Sequence, residues 1–497
     1  MDKESGTKLG ARDTRSMVSP QESGAGVAVA SAPASSARVT DVGATGETIS
    51  TKYRSIGGWV EKPDNPQPEL EGAAYADVIV VGGGFAGLNT ALELTARGIK
   101  VILLEKEFAG FGASGRNAGY LLGGHGLEYD LFLKRLSREQ AKKVIAFYDE
   151  AVDYVEGNFS KYGIDCDYNN SGTIRAGVHP SQEKRLREGM QTGVDLGSPA
   201  QYLDYADMRA RGIPPAFLFG CYISRGGTLD PGKYVMGLRR TALEAGVMIY
   251  ENTPLLSYTE GKTVTVKTAR GSASADFLVF ATNAYTPQLG LLQNKVMPIR
   301  VSAIETEPLS AAQLATLGWP RREGLITPHF VMESYRLTPR NTLLVTVKRL
   351  NYVYGARTPN VPDEYAYQEL AVGVRDRFPT LREIAIRSCW SGYISVTYDA
   401  VPLVGETGEH RNILYSAGCA GHGLGTQSLA GKLLADKIGG TEHPLYSGLQ
   451  HKTPTMLPEP LQWCAIKSAM AGAHMMDDYV NHKARNAAAR GNGETGK

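Results

Sequence analysis

Three glycines, Gly82, Gly84 and Gly87, stand in G-x-G-x-x-G spacing between an apolar run, Val78 to Val81, and a helix-like segment from Phe85 to Arg97. One glycine makes the turn, one admits backbone N–H groups to a pyrophosphate, and one lets the helix lie close on the strand. The helix opening at Phe85 and Ala86 supplies unpaired donors and a partial positive charge for phosphates. A second apolar run, Val101 to Leu104, ends in Glu105 and Lys106. Glu105 lies about 20 residues past the glycines, where an acid accepts hydrogen bonds from a ribose. A glycine-rich loop without a ligand is the plain alternative, and the agreement of strand, helix and acid argues against it. The spacing does not separate NAD from FAD.

Two more stretches carry donors. After Glu105 comes KEFAGFGASGRNAGYLLGGHG, with seven glycines between Gly110 and Gly126. Such density lets backbone pass close to something flat or charged. Gly112 supplies such backbone, and Ser114, Arg116 and Asn117 are the loop's side-chain donors. Far downstream, SAGCAGHGLGTQ follows an apolar run and opens another helix, so Gly421, Gly423, Leu424, Gly425 and Thr426 aim a second helix start at a ligand. The run FATNAYTP brings Ala281 and Thr282 to a sheet's carboxyl edge in the same manner. His422 in the AGHGLG turn and His125 in GGHG are the histidines placed to meet a ligand; pinning the turn is the alternative for His422.

The elements that must position these groups fit a long chain. Its 497 residues suggest two or three domains. A net charge of +2, from 53 basic and 51 acidic residues, provides no field for nucleic acid or an anionic membrane. Cys166, Cys221, Cys389, Cys419 and Cys464 contain no C-x-x-C pair, which speaks against a disulfide framework or a metal site and fits a reducing, cytoplasmic setting. No apolar run reaches about 18 residues, so no membrane span is expected. Residues 1–50, rich in Ser, Ala, Gly and Thr, read as a disordered extension; six acids beside five bases disfavour a transit peptide.

Residues 51–75 form a proline-spaced lead-in. Ser137 to Gln140 has capping-box spacing for a helix reaching Tyr162, Ile164 to Val178 alternates like sheet, and Gln182 to Gln191 reads as a helix. Asp230, Pro231 and Gly246 bound another helix, followed by a strand to Tyr250. Val264 to Thr268 and Phe277 to Ala281 read as a hairpin joined by ARGSASAD. From Met297 the pattern is antiparallel sheet, and Gln462 to about Arg485 is a helix whose weak apolar stripe suits packing on the body. The nucleotide domain is thus assembled from residues 76–125, 225–285 and 386–445, the substrate domain from 126–224 and 286–385, with a C-terminal helix and tail over 446–497.

VIVVGGGFAGL, GFGASGRNAG, FATNAYTP, WSGYISVTYDAVPLVG and SAGCAGHGLG together resemble the FAD-dependent oxidoreductases of the D-amino acid oxidase superfamily. The likeness spans roughly residues 55 to 465 and leans towards the glycine/sarcosine oxidase and gamma-glutamylputrescine oxidase-like members. It implies an α/β fold: a discontinuous Rossmann-type FAD-binding domain with an α+β substrate domain on a mainly antiparallel sheet. It also implies oxidation of an amine or amino-acid C–N bond by hydride transfer to FAD, an imine product that hydrolyses, and O2 reduced to H2O2. A dehydrogenase serving a quinone or protein acceptor, or a non-catalytic flavin-binding subunit, stays open. Some relatives attach FAD through a cysteine at the position of Gly392; Cys389 is three residues away, so FAD is expected to be non-covalent. The family places a lysine for oxygen activation near Lys348, although the register favours Leu344 and leaves Lys348 as a solvated strand end. His422, Lys348 and Tyr393 are the catalytic candidates. Tyr335, Arg336, Trp390, Tyr393 and Tyr398 fall in segments expected to face substrate, where rings can hold an amine and Arg336 a carboxylate.

Overall fold

The strand Val78–Val81 and its neighbour Val101–Leu104 are buried at every residue, and alternate side chains enter two different cores. Val78, Val80, Val101 and Leu103 meet the helices Phe85–Thr95 and Gly423–Ile438, whereas Ile79, Val81, Ile102 and Leu104 meet a small second sheet. A strand with apolar residues on both faces belongs inside a parallel sheet covered on each side. The structure is a computed structural model that describes residues 48–124 and 133–494, with side chains to residue 490. His125 and residues 1–47 of the expected disordered extension lie outside the described residues.

The six-stranded sheet runs Leu403–Thr407, Ile413–Ala417, Phe277–Phe280, Val78–Val81, Val101–Leu104, Met248–Tyr250. Every pairing is parallel except that between Leu403–Thr407 and Ile413–Ala417. The covering sheet has four strands, Gly72–Tyr75, Gly271–Ala275, Val264–Lys267 and Ser257–Thr259. The hairpin expected of Val264 to Thr268 with Phe277 to Ala281 does not form. Gly271–Ala275, inside the supposed linker, pairs antiparallel with Val264–Lys267, and Phe277–Phe280 joins the parallel sheet beside Val78–Val81. A strand of small residues carries little β signal, and FLVF, apolar throughout, seeks burial on both faces.

The second large sheet has eight strands, in the order Ile386–Val396, Met297–Thr306, Leu343–Val347, Glu333–Leu337, Gly324–Ile326, Thr173–Gly177, Phe219–Ile223, Ala200–Leu203. Its pairings are antiparallel apart from Gly324–Ile326 with Thr173–Gly177. One face packs on the helix Glu364–Arg377 through Tyr335, Val345, Tyr367 and Leu370. Ile386–Val396, grouped by sequence with the nucleotide segments, pairs along Met297–Thr306 in this sheet. Of Ile164 to Val178 only Thr173–Gly177 is strand, because Asp167 adopts φ 50° and Asn169 makes a lone bridge to Thr228.

Local signals set several boundaries. Ser137 and Gln140 form the capping box that opens Arg138–Tyr162. Asp230 caps Pro231–Glu244 by accepting from the Lys233 N–H. The C-terminal helix extends over Leu461–Glu494, beyond the expected end. Its buried positions include Gln462, Asp477 and Asn481, so its inward face is partly polar and its apolar stripe weak. No helix among the described residues is long and apolar enough to cross a membrane.

Candidate active site

Four parallel strands end at one edge of the six-stranded sheet, and the turn after each reaches a common cavity of about 470 Å³. Val81 leads to Gly82 and Gly84, Leu104 to Glu105, Phe280 to Ala281 and Thr282, and Ala417 to Gly421 and Gly423. Convergence at the carboxyl edge is what parallel strands with covering helices produce.

The dinucleotide turn shows the separate duties of its glycines. Gly82 has φ 106°, open to glycine alone at low cost. A Cβ on Gly87 would stand 1.9 Å from the Gly82 carbonyl oxygen, so Gly87 lets helix and strand touch. A Cβ on Gly84 would meet only the Ser114 hydroxyl, at 2.9 Å. That hydroxyl accepts the Phe85 N–H at 3.0 Å. Glu105 accepts from the N–H groups of Gly83 (2.7 Å) and Glu107 (3.0 Å). Burial pushes its carboxyl above the usual range, and those two amides pull the other way.

Arg116 and Asn117 shape the next wall. Asn117 donates to the Ser114 carbonyl (2.8 Å) and accepts from the Gly119 N–H (2.8 Å), folding its own loop. Arg116 donates to the carbonyls of Phe111 (3.0 Å) and Ser391 (3.1 Å), tying the loop to the eight-stranded sheet. Burial lowers its pKa from the ordinary value.

At the far end, Gly423 and Leu424 open the helix Gly423–Ile438 onto the cavity. His422 is its N-cap residue; its Nδ1 lies 3.1 Å from the Ala420 carbonyl oxygen, and its ring meets Tyr148 edge-on at 5.9 Å. Gln427, one turn on, lines the cavity and accepts from the Ser416 hydroxyl at 2.9 Å. Its Nε2 is buried without a protein partner. A buried amide donor facing a cavity costs free energy unless a ligand acceptor meets it.

The cofactor-binding candidates line this cavity except for Gly87, Gly425 and Thr426; among the catalytic candidates Tyr393 lines it, while His422 and Lys348 do not. A Cβ on Gly425 would lie 3.3 Å from the Cβ of Ala151, so this residue admits the neighbouring helix, and Thr426 donates back to the His422 carbonyl at 2.9 Å. Lys348 is a correction to the solvated strand end: it is 4% exposed and bonds Glu333 at 2.7 Å. Glu333 also receives Arg377 (2.9 Å), the Tyr335 hydroxyl (2.8 Å) and Asn481 (3.1 Å). Burial would raise its carboxyl, but the Arg377 and Lys348 cations outweigh that and hold it well below the usual range.

The expected substrate face changes in the same way, since Tyr335, Arg336, Trp390 and Tyr398 do not line the cavity. Arg336 spends Nη1 on the carbonyls of Gly119 and Leu229, both at 2.8 Å, and burial pushes its pKa down to about 10. Trp390 donates to the Arg116 carbonyl at 2.8 Å. Tyr393 remains, with its hydroxyl on the Pro359 carbonyl (2.9 Å) and its pKa pushed up to about 12 by burial. Tyr285 stands edge-on to it at 6.4 Å. Tyr285, Gln427 and the loop residues Thr358, Pro359 and Asn360 line the cavity and were missed from sequence. Only Gln427 had a usable signal, four residues beyond Gly423 on the same helix face.

These groups fit FAD. Two helix starts with amides for anionic atoms, a carboxylate at the ribose position and an unsatisfied amide donor line one cavity. Comparison with known proteins agrees. Gamma-glutamylputrescine oxidoreductase of Escherichia coli K12 is 29% identical over 76% of this chain and 86% of its own. The crystal structure of glycine oxidase from Geobacillus kaustophilus superimposes with a TM-score of 0.64 at 20% identity, over 77% of this chain and all (100%) of the other. L-proline dehydrogenase from P. horikoshii gives 0.62 at 20% identity, over 77% of this chain and 96% of its own. The family model for DAO, FAD dependent oxidoreductase, matches residues 77–437, and the chain belongs to that family of FAD-dependent enzymes.

Proposed function

We propose that the protein oxidises the C–N bond of an amine or amino acid, yielding an imine that water hydrolyses, with O2 reduced to H2O2. The observation that carries this reading is that one cavity joins the dinucleotide turn to Ser391, Gly392, Tyr393 and Ile394 of the eight-stranded sheet. Bound FAD supplies the hydride acceptor, so the chain need only bind, orient and exclude water. The amides opening Phe85–Thr95 would hold the pyrophosphate and Glu105 the ribose. Gly423, Leu424 and Gln427 present donors at the other end, where a partly buried helix terminus is worth up to ~2 kcal/mol towards negative charge.

Tyr393 and Tyr285 make an aromatic wall against which the substrate amine and its carbon chain would pack. With its pKa at about 12, the Tyr393 phenol stays protonated and cannot act as a base near neutrality. Among the described lining residues the carboxylates are Glu105 and Glu107, beside the dinucleotide turn. The amine therefore sheds its proton to solvent before it binds. The names of the similar enzymes place amines and amino acids first among substrates to test.

A second reading, electron transfer to a quinone or protein acceptor, is favoured by one observation. Lys348 is tied to Glu333, and Lys106 is the lysine among the described lining residues. The test is the visible spectrum of the purified protein, followed by an amine and amino-acid panel without air. Bleaching reversed by air with peroxide supports the oxidase; bleaching that air does not reverse supports the second reading. A flavin that nothing bleaches removes both.

A further inference from the structure

The family match stops at residue 437, yet the chain continues into the arm and helix that follow. That C-terminal part grips one segment of the substrate region almost residue by residue. Arg349 bonds Asp478 at 2.7 Å. The Leu350 N–H donates to His474 Nε2 at 3.3 Å, and burial holds His474 down at about 4, so its ring is neutral and can accept. Lys467 donates to Asn351 Oδ1 at 2.6 Å. Glu459 accepts from the buried Tyr352 hydroxyl (2.7 Å) and from the Gly355 N–H (3.1 Å).

The same segment then enters the cavity wall as Thr358, Pro359 and Asn360. There it is held by two side chains that line the cavity, Gln288 and Tyr393, and by Tyr53 outside it. Gln288 bonds Thr358, the Tyr393 hydroxyl bonds the Pro359 carbonyl, and Asn360 accepts from the Tyr53 hydroxyl at 2.7 Å. Between the two sets of anchors lie Ala356, whose carbonyl also accepts from Gln288 Nε2 at 3.3 Å, and the exposed Arg357. A stretch fixed at both ends by polar contacts, with few apolar ones, opens locally at lower cost than a core element.

We propose that Glu459 is a positioning residue for the reaction: through Tyr352 and Gly355 it sets the loop 354–360 that walls the substrate end of the cavity. The C-terminal arm thereby tunes how tightly substrate is enclosed, while the reacting groups are unchanged. The proposal rests on the amine-oxidising reading only for its kinetic arm.

The experiment compares the full-length FAD-bound protein with Glu459→Ala and Glu459→Gln. Three hydrogen bonds to the carboxylate are lost in the alanine variant, two from the loop side and one from the Trp463 N–H of the C-terminal helix. Tryptic cleavage after Arg357 should quicken about tenfold, and the apparent Kd of the amine in anaerobic stopped flow should rise by a like factor. The limiting reduction rate at saturating amine should not change. Glutamine keeps an acceptor oxygen for Tyr352 and Gly355 and should recover most of both effects. Lys467→Met, which releases the Asn351 side chain without touching Glu459, should shift the same two readings in the same direction by less, and decides the matter if Glu459→Ala does not fold. Wild-type cleavage in both alanine and methionine variants overturns the proposal, as does a fall in limiting rate at unchanged Kd. If no amine reduces the wild-type flavin, the proposed function fails and the cleavage comparison still decides this inference.

Discussion

Gln288 donates from Nε2 to the Thr358 hydroxyl at 2.8 Å, joining the short helix after the strand Phe277–Phe280 to the loop from the eight-stranded sheet. Both residues line the cavity, so the bond ties two parts of its wall together. A single neutral hydrogen bond at an exposed place is modest. Thr358→Val should speed FAD release about two- to tenfold, read from the return of flavin fluorescence on dilution. Unaltered release would mean that other contacts hold this part of the wall.

Glycine substitutions should rank by what the new Cβ meets. Gly87→Ala forces it to 1.9 Å from the Gly82 carbonyl, backbone against backbone, whereas Gly84→Ala meets the Ser114 hydroxyl at 2.9 Å. Overpacking of this kind costs about 1–3 kcal/mol or more. Gly87→Ala should lose FAD and lower Tm, and Gly84→Ala should keep a higher Tm while weakening FAD. Equal melting temperatures would contradict the ranking.

Lys348→Met should separate folding from oxygen chemistry. The substitution leaves Glu333 with one of its two cations inside the core, and breaking such a buried pair costs about 3–5 kcal/mol. Chemical denaturation should show that loss. The rate at which air reoxidises the reduced flavin should stay at the wild-type value, and a drop of orders of magnitude would restore Lys348 to catalysis.

His451 and Asp399 form a buried pair at 3.0 Å. Burial alone would lower the His451 pKa, but the Asp399 bond and the Leu449 carbonyl outweigh it and raise the value above 6.5. Burial would raise Asp399, and the His451 bond outweighs it, leaving the value below 3.8. A raised histidine contributes stability that is complete below its ordinary pKa and is lost as pH climbs through the folded value. A depressed carboxyl contributes stability that is complete above its ordinary pKa and is lost as pH falls through the folded value. The pair therefore stabilises most between about 3.8 and 6.5. The Tm difference between wild type and an Asp399→Asn, His451→Gln double variant should be widest there and shrink towards pH 9. A difference that grows with pH would be inconsistent with the pair.

The dinucleotide unit was legible because its signals are local. Glycine spacing, two apolar runs and a terminal acid lie within thirty residues, and each follows from turn sterics or burial on both faces. Val78–Val81 and Val101–Leu104 fall where the sequence puts them. The same holds for Arg138–Tyr162, whose capping box is written in four residues. Less legible was Gly271–Ala275, since a strand of Gly, Ser and Ala is defined by its neighbours and not by its own side chains.

For the site, residue type was a poor guide to direction. Arg336, Trp390 and Tyr335 carry suitable groups and point into packed carbonyls or a buried carboxylate. Lys348 looked like a strand-end cation and is closed into the Glu333 cluster, half of which comes from the helices Glu364–Arg377 and Leu461–Glu494. Such clusters are assembled across more than a hundred residues of chain, and no local pattern records them.

The sequence by itself determined the glycine turn, its flanking strands and helix and the resemblance to the family, because the turn and its elements depend on backbone conformations that only particular residues at fixed spacings permit. Only the tertiary structure decided which side chains meet in the cavity and that the C-terminal arm holds its wall. Glu459 and Gly355 are 104 residues apart, and their contact exists only because two layers pack together.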